Sequence, residues 1–117
     1  MKKAYRVCKS YEFTSIIQHR SFVLSSSFVC YYMPRKESHA RVGISVGKKL
    51  GNAVVRNKVK RQVRSMVDDI YDFNETFDTI IIVRPRYHQK SYQENWKQLK
   101  QDKERLEQAA KEEGVRI

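Results

Sequence analysis

The chain has 117 residues and carries 24 lysines and arginines against 13 aspartates and glutamates, a net charge of +11 with a pI near 9.8. That length suits one domain, residues 1–117, burying roughly two thirds of the surface an unfolded chain exposes. No apolar run approaches the ~20 residues of a spanning helix, the basic start is not followed by a signal-peptide core, and the charge balance is that of a nucleic-acid-binding domain. A cytoplasmic protein is expected, with Cys8 and Cys30, which form no CxxC pair, as free thiols.

Ser10 can cap a helix from Tyr11 to about His19 that sets Phe13, Ile16 and Ile17 on one side. Residues 21–33 read as an extended strand with apolar groups on both faces, Phe28, Cys30 and Tyr32 alternating with Val29, Tyr31 and Met33. After a polar turn at 34–40, Val42, Ile44 and Val46 alternate with Gly43 and Ser45, as in the return strand of an antiparallel pair; a further strand within 21–46 also fits. The sequence GKKLG at 47–51 breaks that strand, and Asn52 can cap a helix running to about Asp69. Asp68, Asp69, Asp72, Glu75 and Asp78 match no calcium loop and read as a solvated connection. TIIIV at 79–83 is the β-branched run of an interior strand, ended by Pro85. A last helix from about Tyr92 lines up Tyr92, Trp96, Leu99, Leu106 and Ala110, with Lys103 laying its stem along the surface and the final residues fraying. The order implies an α+β fold: a two-layer α/β sandwich with a mostly antiparallel sheet and a split βαβ unit.

The segment at 51–64, GNAVVRNKVKRQVR, holds five cations and two asparagines while keeping valines at helical spacing. At about 100° per residue, Val55, Val59, Val63, Met66, Val67 and Ile70 share an arc of roughly 120°. Arg56, Asn57, Lys60, Arg61 and Arg64 fill a neighbouring arc, and Lys58 lies further round. Such a face is ordinarily a solvated one. Here no acid occurs between Gly43 and Val67, so the i to i+4 pairs that would quiet it are missing, and a polyanion is the better partner.

No chemistry of the chain's own is legible. The glycines of Gly43 to Lys48 are separated by three residues where a phosphate loop needs four, and Lys49 holds the hydroxyl position. His19, His39 and His88 are scattered, no serine or cysteine nucleophile has a partner pattern, and no metal spacing appears. The 7 tyrosines and 5 phenylalanines suit stacking on unpaired bases as well as core packing. Phe13, Ile17 and Tyr31 could line a groove if the first helix crosses only the edge of the sheet.

The stretch RVGISVGKKLGNAVVRNKVKR at 41–61 closely resembles the signature of the bacterial ribonuclease P protein subunit. Agreement extends to the Tyr11-Glu12-Phe13 helix, FVCY at 28–31 and IIIVR at 80–84, and so to nearly the whole chain. The resemblance implies a fold like that of ribosomal protein S5 domain 2, with a left-handed crossover in place of the usual right-handed one. It implies a protein without catalytic residues, bound as a monomer, one to one, to a catalytic RNA that uses Mg2+ to remove the 5′ leader of precursor tRNA; on the protein itself no metal or other cofactor is expected, and whether its acidic residues bind metal stays open. Residues matching the family's RNA-facing helix are Arg56, Asn57 and Lys58, followed by Lys60, Arg61 and Arg64, with Asn52, Lys48 and Lys49 leading into it. Lys58 stands where the family pattern has arginine and keeps the charge without the guanidinium fork. The positions matching the leader-binding cleft are Phe13, Ile17 and Tyr31; Ile17 replaces an aromatic and supplies an apolar wall that cannot stack. Arg84 and Arg86 are expected to extend the positive surface. A general RNA-binding module of ribosomal type is the alternative, while a helix-turn-helix regulator is disfavoured because a strand precedes the basic helix.

Overall fold

A short helix whose apolar residues fall on one side opens the main fold: α1, Ser10–Gln18, buries Ile16. The structure, a computed structural model, describes the backbone of residues 1–116 and the side chains of residues 1–113; the expected terminal fraying lies outside the described side chains. Arg20, at φ 63°, turns the chain into β1, Ser21–Leu24, which pairs antiparallel with β2, Phe28–Pro34. Residues 21–33 are therefore a hairpin and not one strand. Ser25 makes the turn, its N–H donating to the Phe28 carbonyl at 2.9 Å and its Oγ accepting from Phe28 N–H at 3.3 Å. The two-faced pattern expected of this region belongs to β2: Phe28, Cys30 and Tyr32 enter one core, while Val29, Tyr31 and Met33 face the other way.

β3, Val42–Val46, leads through a single 3-10 turn at Lys48–Leu50 into α2, Ala53–Ile70, and then β4, Phe77–Val83. The sheet order is β1-β2-β4-β3, with β4 antiparallel to β2 and parallel to β3. β3 is thus not the hairpin return of β2: β4, coming later in the chain, takes the place between them. The expected βαβ unit is present but unsplit, because β3 and β4 are hydrogen-bonded neighbours. Being central explains why β4 reads as a continuous apolar run, since both of its faces are covered.

α3, Tyr92–Arg116, packs beside α2 on one face of the sheet. The larger core lies there, built from the α2 stripe Val59, Val63, Met66 and Val67, the β2 residues Phe28 and Cys30, Ile81 of β4, and Leu99 and Leu106 of α3. Each such side chain contributes roughly 1.5–3 kcal/mol of burial. α1 covers part of the opposite face, so the sandwich gains an incomplete third layer. Two expectations for α3 change. Tyr92 is 36% exposed and outside the core, and Lys103 does more than shelter its stem, bridging Glu75 at 3.0 Å and Glu107 at 3.2 Å. Burial opposes its charge, but these carboxylates outweigh that and raise its pKa.

Candidate nucleic-acid interface

α2 is fixed at its start by the sheet. Gly51 sits at φ 136°, a conformation side chains avoid, and a Cβ there would lie 3.0 Å from Val55. Asn52 follows as the N-cap, its Oδ1 accepting the Val55 N–H at 3.0 Å. With the valine stripe buried, the remaining faces carry the predicted residues: Asn52, Asn57, Lys58 and Arg61 are exposed, and Arg56, Lys60 and Arg64 half-buried. Lys48 and Lys49, exposed in the preceding turn, join the same end. All nine positions are therefore gathered on α2 and its approach.

The electrostatics of this surface are unfavourable in the free protein. Arg56, Lys60 and Arg64 follow one another at i to i+4, where like charges repel. The first turn has no acid to complement the positive end of the helix. Among the described residues, none of the cations of α2 or of its approach enters an ion pair, and Arg56 Nε is screened from solvent without a hydrogen-bond partner. A polyanion relieves each of these costs at once.

A second surface forms on the other face of the sheet. Ile16 of α1 packs with Val7 and Ile80, and Phe13, Ile17 and Tyr31 surround that cluster, half-buried. The structure thus brings the three predicted cleft residues together. Register places Phe22, Tyr31, Ile80 and Gly43 in one row across the four strands. Gly43 is what lets Phe13 lie against this row: a Cβ there would stand 2.7 Å from both Phe13 Cζ and Ile80 Cδ1. The next row is Leu24, Val29, Ile82 and Ser45, with Leu24 half exposed to solvent and the others half-buried. α1 therefore walls a cleft whose floor continues beyond it. Phe22, also 50% exposed, adds a ring 5.2 Å from that of Tyr31. Phe22 and the second row escape sequence reasoning, because only the strand pairing puts them beside Tyr31.

Arg41 clamps the wall in place. Its guanidinium meets Glu12 of α1 at 2.7 Å and Asp78 of β4 at 3.2 Å, and its backbone N–H donates to Asp78 Oδ1 at 2.8 Å. Burial disfavours the Arg41 charge, yet Glu12 and Asp78 more than offset this and its pKa is raised. The acidic stretch after α2 is accordingly not a solvated connection throughout: Asp78 is fully buried against Arg41, and Glu75 is buried against Lys103. Arg84 is likewise committed inside the fold, its N–H donating to the Ser27 carbonyl and its Nη1 to that of Ser25, which leaves Arg86 as the exposed one of that pair.

Comparison with known proteins decides the family, for a model described as Ribonuclease P matches residues 1–107. The chain belongs to the ribonuclease P protein family. The ribonuclease P protein component of Mesoplasma florum is 46% identical over 101 residues, spanning 85% of this chain and 92% of that protein. That of Streptococcus agalactiae is 41% identical over 93 residues, spanning 80% and 85%. The solved ribonuclease P protein of Staphylococcus aureus superposes with a TM-score of 0.74 at 35% identity, over 93% of this chain and 97% of that one. The Thermotoga maritima protein, at 24% identity, shares the fold with a TM-score of 0.68 over 80% and 90%. A ribonuclease P protein component is part of the ribonucleoprotein nuclease of tRNA processing, and its partner there is the ribonuclease P RNA. No helix among the described residues is long and apolar enough to cross a membrane.

Proposed function

We propose that α2, with Lys48 and Lys49, docks this ribonuclease P protein on the catalytic RNA, while the cleft of Phe13, Ile17 and Tyr31 holds the single-stranded 5′ leader of precursor tRNA. The protein then promotes endonucleolytic removal of the leader without contributing a catalytic residue. Its part is electrostatic and positional: the α2 cations lower repulsion between phosphates, and the cleft tethers the leader so that the scissile bond stays within reach of the RNA's active site. It works as a monomer, one to one with the RNA, in the cytoplasm. The observation that carries this reading is the run of α2 cations with no ion-pair partner among the described residues.

Magnesium belongs to the RNA in this scheme. The buried carboxylates Asp78 and Glu75 are already paired with Arg41 and Lys103.

Reconstitution tests the proposal. Added to its cognate RNA at low magnesium, the protein should stimulate release of the leader from precursor tRNA, read on a gel. No stimulation, with the RNA shown to bind, sinks the reading.

A further inference from the structure

On the sheet face opposite the α1 cleft, a hollow of about 260 Å³ opens between α2 and the start of α3. Drug-sized ligands occupy roughly 300–1,000 Å³, so this one suits a single heterocycle. Val55 and Val59 give it apolar lining, and Tyr87 and Tyr92 supply rings. Lys58 and Lys90 also line it, neither in an ion pair among the described residues, and the lining contains no carboxylate.

The polar groups divide into spent and free. Asn95 is spent: its Oδ1 accepts from Ser27 Oγ at 2.6 Å and its Nδ2 donates to the Tyr87 carbonyl at 3.0 Å. The Tyr87 hydroxyl donates to Gln62 Oε1 at 2.8 Å. That bond fixes which way the Gln62 amide points and leaves its NH2 without a partner among the described residues. Burial, followed by the nearby Tyr92, pushes the Tyr87 pKa up to about 12. Tyr92, 36% exposed, has no hydrogen-bond partner for its hydroxyl among the described residues. An open ring, a free amide donor and two unpaired ammonium groups ask for a ligand with a π-face, a hydrogen-bond acceptor and negative charge.

We propose that this hollow receives one unpaired nucleotide of the ribonuclease P RNA, its base stacked on Tyr92 and bonded by the Gln62 amide, with flanking phosphates on Lys58 and Lys90. The inference rests on the reading of α2 as the RNA anchor, because Lys58 belongs both to that surface and to this one. The leader is the wrong occupant, since its cleft lies across the sheet. Extruded bases stacked on aromatic rings are the usual means by which proteins read RNA.

The test uses the full-length chain in the reconstituted holoenzyme, with Tyr92 replaced by p-benzoylphenylalanine and the two RNAs labelled separately. Irradiation should join it to one unpaired nucleotide of the catalytic RNA. Crosslinking to precursor tRNA, to base-paired helices, or to nothing overturns the proposal. In equilibrium binding, Tyr92→Ala should weaken RNA affinity roughly five- to hundred-fold and Tyr92→Phe should leave it intact, both with an unaltered salt dependence because no phosphate contact is lost. Arg56→Ala with Arg61→Ala should instead flatten the log–log salt slope by about 0.7–0.9 per contact. If the arginine variants bind normally, the anchor reading itself fails. If they bind weakly while Tyr92→Ala, folded by circular dichroism, binds as the parent does, only the nucleotide pocket fails.

Discussion

Gly43→Ala is a sharp probe of the α1 cleft, because one methyl group collides with both its wall and its floor. The added carbon would lie 2.7 Å from Phe13 Cζ and from Ile80 Cδ1, and 3.1 Å from Phe13 Cε1, well inside the 3.4 Å at which ordinary contact begins. Ile80 is held in the central strand between β2 and β3, so Phe13 and α1 should give way first. Overpacking of this kind costs about 1–3 kcal/mol, which in a domain of this size lowers Tm by about 4–12 °C. Displacing the Phe13 ring should also cut the advantage of leader-bearing over mature tRNA about five-fold or more, the lower end of what one stacked base contributes. Thermal unfolding by circular dichroism and binding of both RNAs to the reconstituted holoenzyme read the two effects. Ile80→Val removes the Cδ1 that obstructs the methyl and alone costs about 0.5–1.5 kcal/mol; combined with Gly43→Ala it should cost less than the two changes added. A Gly43→Ala protein with unchanged Tm and unchanged preference for the leader would refute the account of how Phe13 is seated.

Phe13→Ala should weaken binding of precursor tRNA and spare mature tRNA, and equal losses for both would remove the cleft from leader recognition. Arg41→Ala strands the buried Asp78 without its cation and should cost about 3–5 kcal/mol; in urea unfolding the double variant Arg41→Ala, Asp78→Ala should recover part of that loss, and failure to do so would show that the clamp is incidental. Stability should also fall as pH rises from about 10 to 12. Tyr87 and Tyr32 titrate at about 12 in the folded chain against 10.0 unfolded, each chiefly through burial, with Tyr92 and Glu113 respectively adding to it. Between those values the folded state holds more protons than the unfolded one, so its advantage drains away on the alkaline side. Tyr87→Phe should flatten the decline, and an unaltered pH profile would argue against the burial cause.

What could be read in advance follows the range of the interactions involved. α2 was legible nearly to the residue, because its valine period, its cap at Asn52 and its charged face are all set within a few positions of one another. β4 announced itself as central through composition alone. The β1–β2 hairpin did not, since Ser25, Ser26 and Ser27 offer no glycine, proline or asparagine as a turn signal; the turn is held by serine hydroxyls and by Arg84 at the end of the neighbouring strand β4, distant only in sequence. Pairing of β3 with β4 was hidden for the same reason, as nothing in residues 41–46 names a neighbour. Asp78 and Glu75 looked solvated because their partners, Arg41 and Lys103, are tens of positions away. Phe13, Ile17 and Tyr31 are candidates from the apolar pattern of α1 and β2 and from the family resemblance, whereas Phe22 and the Leu24 row need the sheet register to bring them to the same floor.

β4 lends alternate residues to two surfaces: Ile80 and Ile82 face α1, while Ile81 and Val83 face the core beneath α2 and α3. No hinge lies between them, only the pleat of a strand bonded on both edges. On the proposed reading the protein is therefore a gauge block. The gap between a leader lying on one side and a catalytic RNA gripped on the other is set by covalent geometry, and it should stay constant from one precursor tRNA to the next.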